Sequence, residues 1–155
     1  IIMFGLLALW GSSIATAANI SGTYSDKGTM LADGSPTVSL HALFGLQFQP
    51  EVGLADHMNT ATVEVTDKDD WFEFKTYQEG GTEISRSRWG PQNGFSHEEG
   101  SAVVRISKNK DEFYTFMLKS AADGAAMEVR IYRVSPSTFG PAADPIGTYF
   151  FVKSE

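Results

Sequence analysis

The sequence predicts an all-β domain: an antiparallel up-and-down meander of about nine strands closing as a barrel, with a two-layer β-sandwich as the alternative. Three observations carry this. Apolar residues alternate with polar ones, as along Val38–Phe48, the period of a half-buried strand. The pairs Gly80-Gly81 and Asp123-Gly124 sit between apolar runs, and both tolerate the positive φ that tight hairpin turns require. From Thr62 to Val134, strand and turn follow one another with no low-complexity linker, which predicts a continuous meander.

In chain order, Ile20–Asp26 opens the domain. Val38, Leu40, Ala42, Phe44, Leu46 and Phe48 fall on one face of a long second strand, although the grouping of Leu40, Leu43 and Phe44 also fits a helix. Thr62–Thr66 turns through Asp67-Lys68-Asp69-Asp70 into Trp71–Tyr77, and Glu79-Gly80-Gly81 leads to Thr82–Trp89. Ala102–Ser107 turns through Lys108–Asp111 into Glu112–Lys119, and Asp123-Gly124 leads to Met127–Val134. Ile146–Val152 closes the set. Lys27–Pro36, Pro50–Ala61, Gly90–Gly100 and Ser135–Pro145 read as the longer connections.

A chain of 155 residues has room for one domain with a substantial core. Its hydrophobic share of 42% and charged share of 20% are those of a globular protein. The formal charge of −7 opposes binding to nucleic acid or to an anionic membrane surface. The absence of cysteine removes disulfides, thiolate zinc sites, cysteine nucleophiles and a lipoprotein anchor. The apolar run Ile1–Trp10, followed by Ala15-Thr16-Ala17-Ala18, has the pattern of a signal peptide, so residues 1–18 are expected to be a leader and 19–155 a single β domain. Since neither an initiating Met nor a basic segment precedes Ile1, the leader is expected to be truncated at its start. The run is too short, and too soon broken by Gly11, Ser12 and Ser13, for a membrane span.

Gly22-Thr23-Tyr24 near the start of such a meander resembles the lipocalin-like (calycin) small β-barrels, with Tyr24 where that family usually has Trp. That family also has an Arg late in the chain that packs on the aromatic. Arg130 or Arg133 stands at the matching place. The resemblance implies a β-barrel that binds a small apolar molecule.

The chemistry-bearing residues are few. No nucleophile elbow, phosphate-binding loop or zinc-protease helix is present, so no catalytic residue is assigned. His41 reads as a solvated strand residue, and Asp56-His57 and His97-Glu98-Glu99 as hydrophilic loops, with no metal or cofactor expected. Asp67-Lys68-Asp69-Asp70 lacks the Gly and the distant Glu of a calcium loop and reads as a charged turn. Asn19-Ile20-Ser21 is formally a glycosylation sequon. Thr82–Trp89 is the oddity, since neither of its faces is apolar. Two explanations stand side by side: an edge strand kept polar against edge pairing, or an inward strand that meets a ligand. In the second, Arg86, Arg88 and Trp89 form the binding site, the guanidinium forks suiting a carboxylate or phosphate. Glu112–Lys119 is apolar on both faces, so its outer face needs a cover.

The function these observations suggest is that of an exported, periplasmic or secreted, binder of a small apolar or amphipathic anionic ligand. The alternative is a protein-interaction or inhibitor module working through its long loops; an enzyme ranks last. An interior filled and shut would favour the interaction module, a cavity touching Arg86 or Arg88 the ligand binder, and a His–carboxylate pair in a cleft the enzyme.

Overall fold

The computed structural model describes residues 19–30, 37–48, 59–107, 109–137 and 140–154. The expected leader and His57 lie outside the described residues. The fold is all-β and antiparallel, in two sheets, with one α-helix among the described residues. In chain order the elements are β1 (Gly22–Ser25), β2 (Lys27–Met30), β3 (Thr37–Ser39), α1 (Leu40–Phe48), β4 (Thr60–Asp67), β5 (Phe72–Gln78) and β6 (Glu83–Trp89). Then come β7 (Phe95–Glu98), β8 (Ser101–Ser107), β9 (Phe113–Ala121), β10 (Ala126–Ser137) and β11 (Gly140–Val152). The smaller sheet has the order β1-β4-β5-β6 and the larger the order β3-β2-β11-β10-β9-β8-β7.

The sheets do not close into a barrel, and the arrangement is that of the two-layer alternative. They are joined at two seams. At one, Tyr24 bridges Lys153, and the Ser154 N–H donates to the Thr23 carbonyl at 2.7 Å. At the other, the chain leaves β6 and enters β7 through a 3-10 turn, Pro91–Asn93. The meander expected from Thr62 to Val134 therefore changes sheet between Trp89 and Phe95, with no crossover helix. Gly94 makes this passage possible. Its φ is +95°, and a Cβ there would run into the Arg105 carbonyl.

Eleven strands, not about nine, stand among the described residues, and the expected Lys27–Pro36 connection begins with one of them, β2, paired between β3 and β11; three further expectations are corrected. Val38–Phe48 is not one strand. Only Thr37–Ser39 pairs with β2, and the helix begins at Leu40. The reason lies outside the run. The Asp26 carbonyl accepts the Leu40 N–H at 2.7 Å, and its carboxylate accepts the His41 N–H at 2.9 Å, so the helix N-terminus is capped by the β1–β2 corner. The Gly90–Gly100 connection contains β7 as well as the 3-10 turn, because Phe95 is drawn into the core while Ser96, His97 and Glu98 pair with β8. Ser135–Pro145 is not a loop but the outer part of the β10–β11 hairpin, paired out to Ser137 and Gly140.

One continuous core fills the space between the sheets. Tyr24, Val63, Val65, Phe72, Phe74 and Trp89 come from the smaller sheet. Phe95, Val104, Phe116, Leu118, Met127, Val129, Ile131 and Phe151 come from the larger. The period of two decides which residues point inward. In β5, Phe72 and Phe74 face the core while Glu73 and Lys75 face out. Phe44 of α1 enters this space, its ring 4.5 Å from Phe74 and 4.5 Å from Phe116. On the outer face of β9, Met117 is half-buried and lies in register with Arg130 and with Val103, which is fully buried but outside the core.

Candidate functional site

Strand β6 is the edge of the smaller sheet, the first of the two explanations for its polarity. Its pairing with β5 sets its faces. Phe72 lies opposite Trp89 and Thr76 opposite Ser85, so Ser85, Ser87 and Trp89 share the inward face. Trp89 is buried among Phe44, Phe72 and Phe74. The Thr76 and Ser85 hydroxyls satisfy one another at 2.6 Å. Arg86 and Arg88 face outward, each more than half exposed. Thus the three residues expected to bind a ligand are not brought to one place.

Both arginines have protein partners. Arg86 donates Nε and Nη2 to the two oxygens of Glu83, at 3.0 and 3.1 Å. That pairing holds the Glu83 carboxyl below its ordinary value and the Arg86 guanidinium above its own. Arg88 reaches Glu73 at 2.9–3.0 Å and lies 4.1 Å from the centre of the Trp71 ring. Glu73 is itself buried, with Lys75 on its other oxygen at 3.5 Å. The larger sheet repeats this device on its outer face, where buried Glu128 lies between Lys119 at 3.0 Å and Arg130 at 2.8 Å. Burial pushes the Glu128 carboxyl up, but the hydrogen bonds from Lys119 and Arg130 outweigh it and leave the carboxyl below its ordinary value.

Tyr24 is buried in the core, its hydroxyl donating to the Ile20 carbonyl at 2.6 Å; burial, reinforced by the charge of Asp67, pushes its pKa up. Arg130 pairs with Glu128. Arg133 stands near Glu112, at 3.9 Å, and Asp144, at 3.7 Å. Both guanidiniums are close to half exposed, while Tyr24 is sealed at 2% exposure.

Two His–carboxylate pairs appear that the sequence did not announce. His41 Nδ1 lies 2.8 Å from buried Asp26, and His97 Nε2 lies 2.7 Å from buried Asp67. Asp26 is committed to holding helix α1. Asp67 ends β4 facing the core, its backbone tied to Ser21, and His97 sits edge-on to Phe95. Glu98 turns to Arg105 instead of His97. Among the described residues no three ligating side chains gather as a metal site.

Three surface clefts are lined by described residues, and neither His41 nor His97 lines these three. The smallest, about 140 Å³, lies over Glu128, between Lys119 and Arg130. A second, about 510 Å³, sits at the β1–β2 corner and is wholly polar apart from Ala61. The third, about 610 Å³, lies between the Gly90–Gly94 turn and the β8–β9 hairpin. Ile106 and Phe113, from opposite faces of the hairpin, give it its apolar lining, and Arg105 and Lys110 stand around it with Asp111 and Glu112. Arg105 is held by both oxygens of Glu98, at 2.9 Å each, whereas Lys110 has no carboxylate partner among the described residues. Ser107 and Asn109 fix the hairpin turn: the Ser107 hydroxyl donates to the Asn109 carbonyl, and the Asn109 side chain accepts the Asp111 N–H at 3.0 Å. No helix among the described residues is long and apolar enough to cross a membrane. No protein-family model, curated protein or solved structure matches the chain.

Proposed function

We propose that the protein is an exported binding module that takes a small amphipathic anion on its surface, in the cleft between the Gly90–Gly94 turn and the β8–β9 hairpin. The observation that carries this reading is the composition of that cleft: apolar lining from Ile106 and Phe113 beside the ammonium of Lys110, which has no carboxylate partner among the described residues, in about 610 Å³. That volume falls within the roughly 300–1,000 Å³ of ligand pockets, and an apolar surface with a few polar groups is their usual make-up. The rings of Phe44, Phe74 and Phe116 crowd together between the sheets, which favours a site on the surface. Export rests on the Ile1–Trp10 run and the small residues after it; N-terminal sequencing of the protein from its native host tests it, and a chain still beginning near Ile1 would overturn it.

The ligand test is a titration with laurate, followed through backbone amide shifts. Shifts at Ile106, Asn109 and Phe113, with weaker binding by Lys110→Gln, support the cleft. An Arg86→Gln, Arg88→Gln double variant should bind as the wild type does; loss of binding there would move the site to the outer face of the smaller sheet. The second reading, a protein-interaction module, is what remains if no amphipathic anion binds.

A further inference from the structure

We infer that the polar cleft at the β1–β2 corner is a second binding site, and that its ligand is a neutral polyhydroxylated ring such as a monosaccharide. Four strand ends meet there: Ser25 of β1, Lys27 of β2, Thr60 and Ala61 of β4, and Gln78 of β5. The site is built by irregularities in the sheet. The β4–β5 register shifts between Thr60 and Thr62, and the β5–β6 register shifts between Thr76 and Tyr77, so both ladders bulge at the same end of the smaller sheet. Bulges re-aim side chains, and they concentrate at functional rims. Here the bulged Ala61 gives its carbonyl to the Asp26 N–H at 3.0 Å, which ties the cleft wall to the corner that caps α1.

The second observation is an unanswered hydroxyl. Thr60 is 7% exposed, and its Oγ1 is buried with no hydrogen-bond partner among the described residues. A buried polar atom without a partner is costly, and native structures rarely leave one without a reason. Thr60 lines the cleft with its Oγ1 sealed from solvent, so a ligand that draws the Asn59–Thr60 strand end outward supplies the partner that the fold does not.

The lining selects the ligand class. Ser25 and Thr60 offer hydroxyls, Asn59 and Gln78 offer amides, and Lys27 and Glu79 contribute opposite charges that cancel. Amides and hydroxyls present donors and acceptors together, which is what adjacent sugar hydroxyls require. No apolar side chain larger than that of Ala61 lines the cleft, so a hydrocarbon ligand would gain little there. Glu79 and the overall charge of −7 disfavour an anion.

The experiment is a titration of the isotope-labelled protein with glucose, galactose and N-acetylglucosamine, followed through backbone amide shifts. At least one sugar should shift Ser25, Ala61 and Gln78. Gln78→Ala should weaken that binding roughly three- to tenfold, the effect of one or two lost hydrogen bonds. Thr60→Val removes the unanswered hydroxyl at constant shape. It should leave the sugar-free protein as stable or more stable, and it should weaken sugar binding. No shifts with any sugar, shifts located elsewhere, or a Thr60→Val protein that is destabilised when free would each overturn the proposal. Laurate in parallel distinguishes this site from the β8–β9 cleft, since each probe should move its own set of amides.

Discussion

The ring of Phe44 stacks on the ring of Phe74 with centroids 4.5 Å apart and planes inclined by 28°. One ring belongs to the only α-helix among the described residues and the other to the smaller sheet, so this contact ties the helix into the core between the sheets. Removing the helix ring leaves a hole bounded by Phe74, Phe116 and Trp89. Phe44→Ala is therefore expected to cost about 3–5 kcal/mol of stability. Urea denaturation measures this; a loss below about 1 kcal/mol would mean that α1 is not seated as described.

Asp26 serves the same helix from outside. Its carboxylate accepts both the His41 N–H and His41 Nδ1, at 2.9 and 2.8 Å. Asp26→Ala removes both of these buried bonds together, and is expected to cost about 1.5–3 kcal/mol. The local signature is the stronger test. Hydrogen exchange at Leu40 and His41 should accelerate in the variant more than exchange at Val104 or Leu118, in the larger sheet.

The two arginines of β6 differ in what they leave behind. Arg86→Gln releases the surface carboxylate of Glu83, and the unfolding midpoint should hardly move. Arg88→Gln removes one of the two cations on buried Glu73 and strips the face of Trp71. It should cost about 1 kcal/mol, reduced from the full value of a buried pair because Lys75 remains and Arg88 is half in solvent. Equal midpoints for the two variants would contradict the asymmetry.

Acid should act on the larger sheet through Glu128. The folded carboxyl lies below the ordinary 4.5 that it takes up when unfolded. A depressed folded value means that its contribution is complete above that ordinary value and is lost as the pH falls through the folded one. Stability measured between neutral pH and pH values below 4.5 should thus fall less steeply in Glu128→Gln than in the wild type, while the variant is the less stable of the two at neutral pH. Parallel curves would remove Glu128 from the account.

The sequence by itself determined the strand-and-turn grammar. The alternation along β5, the Gly80-Gly81 turn and the charged turn after Asp67 are local signals, and they came out as read because side-chain period and turn φ are properties of a few adjacent residues. The polar β6 was legible as a problem with two solutions. Only pairing on one side alone, with β5, selected the edge. Tertiary structure alone decided that Leu40–Phe48 coils into a helix, because its cap, Asp26, lies 14 residues earlier in the chain, beyond the reach of any local pattern. It also decided that Phe44 meets Phe74 and Phe116, rings that come from separate elements. The same holds for the corner cleft. Ser25, Thr60 and Gln78 are unremarkable in the sequence, and they become a site only where strand ends from both sheets converge and the ladders bulge. Periodicity reports which side of its own strand a residue occupies; which strands face one another, and what their ends enclose, is fixed by packing between residues far apart in the chain.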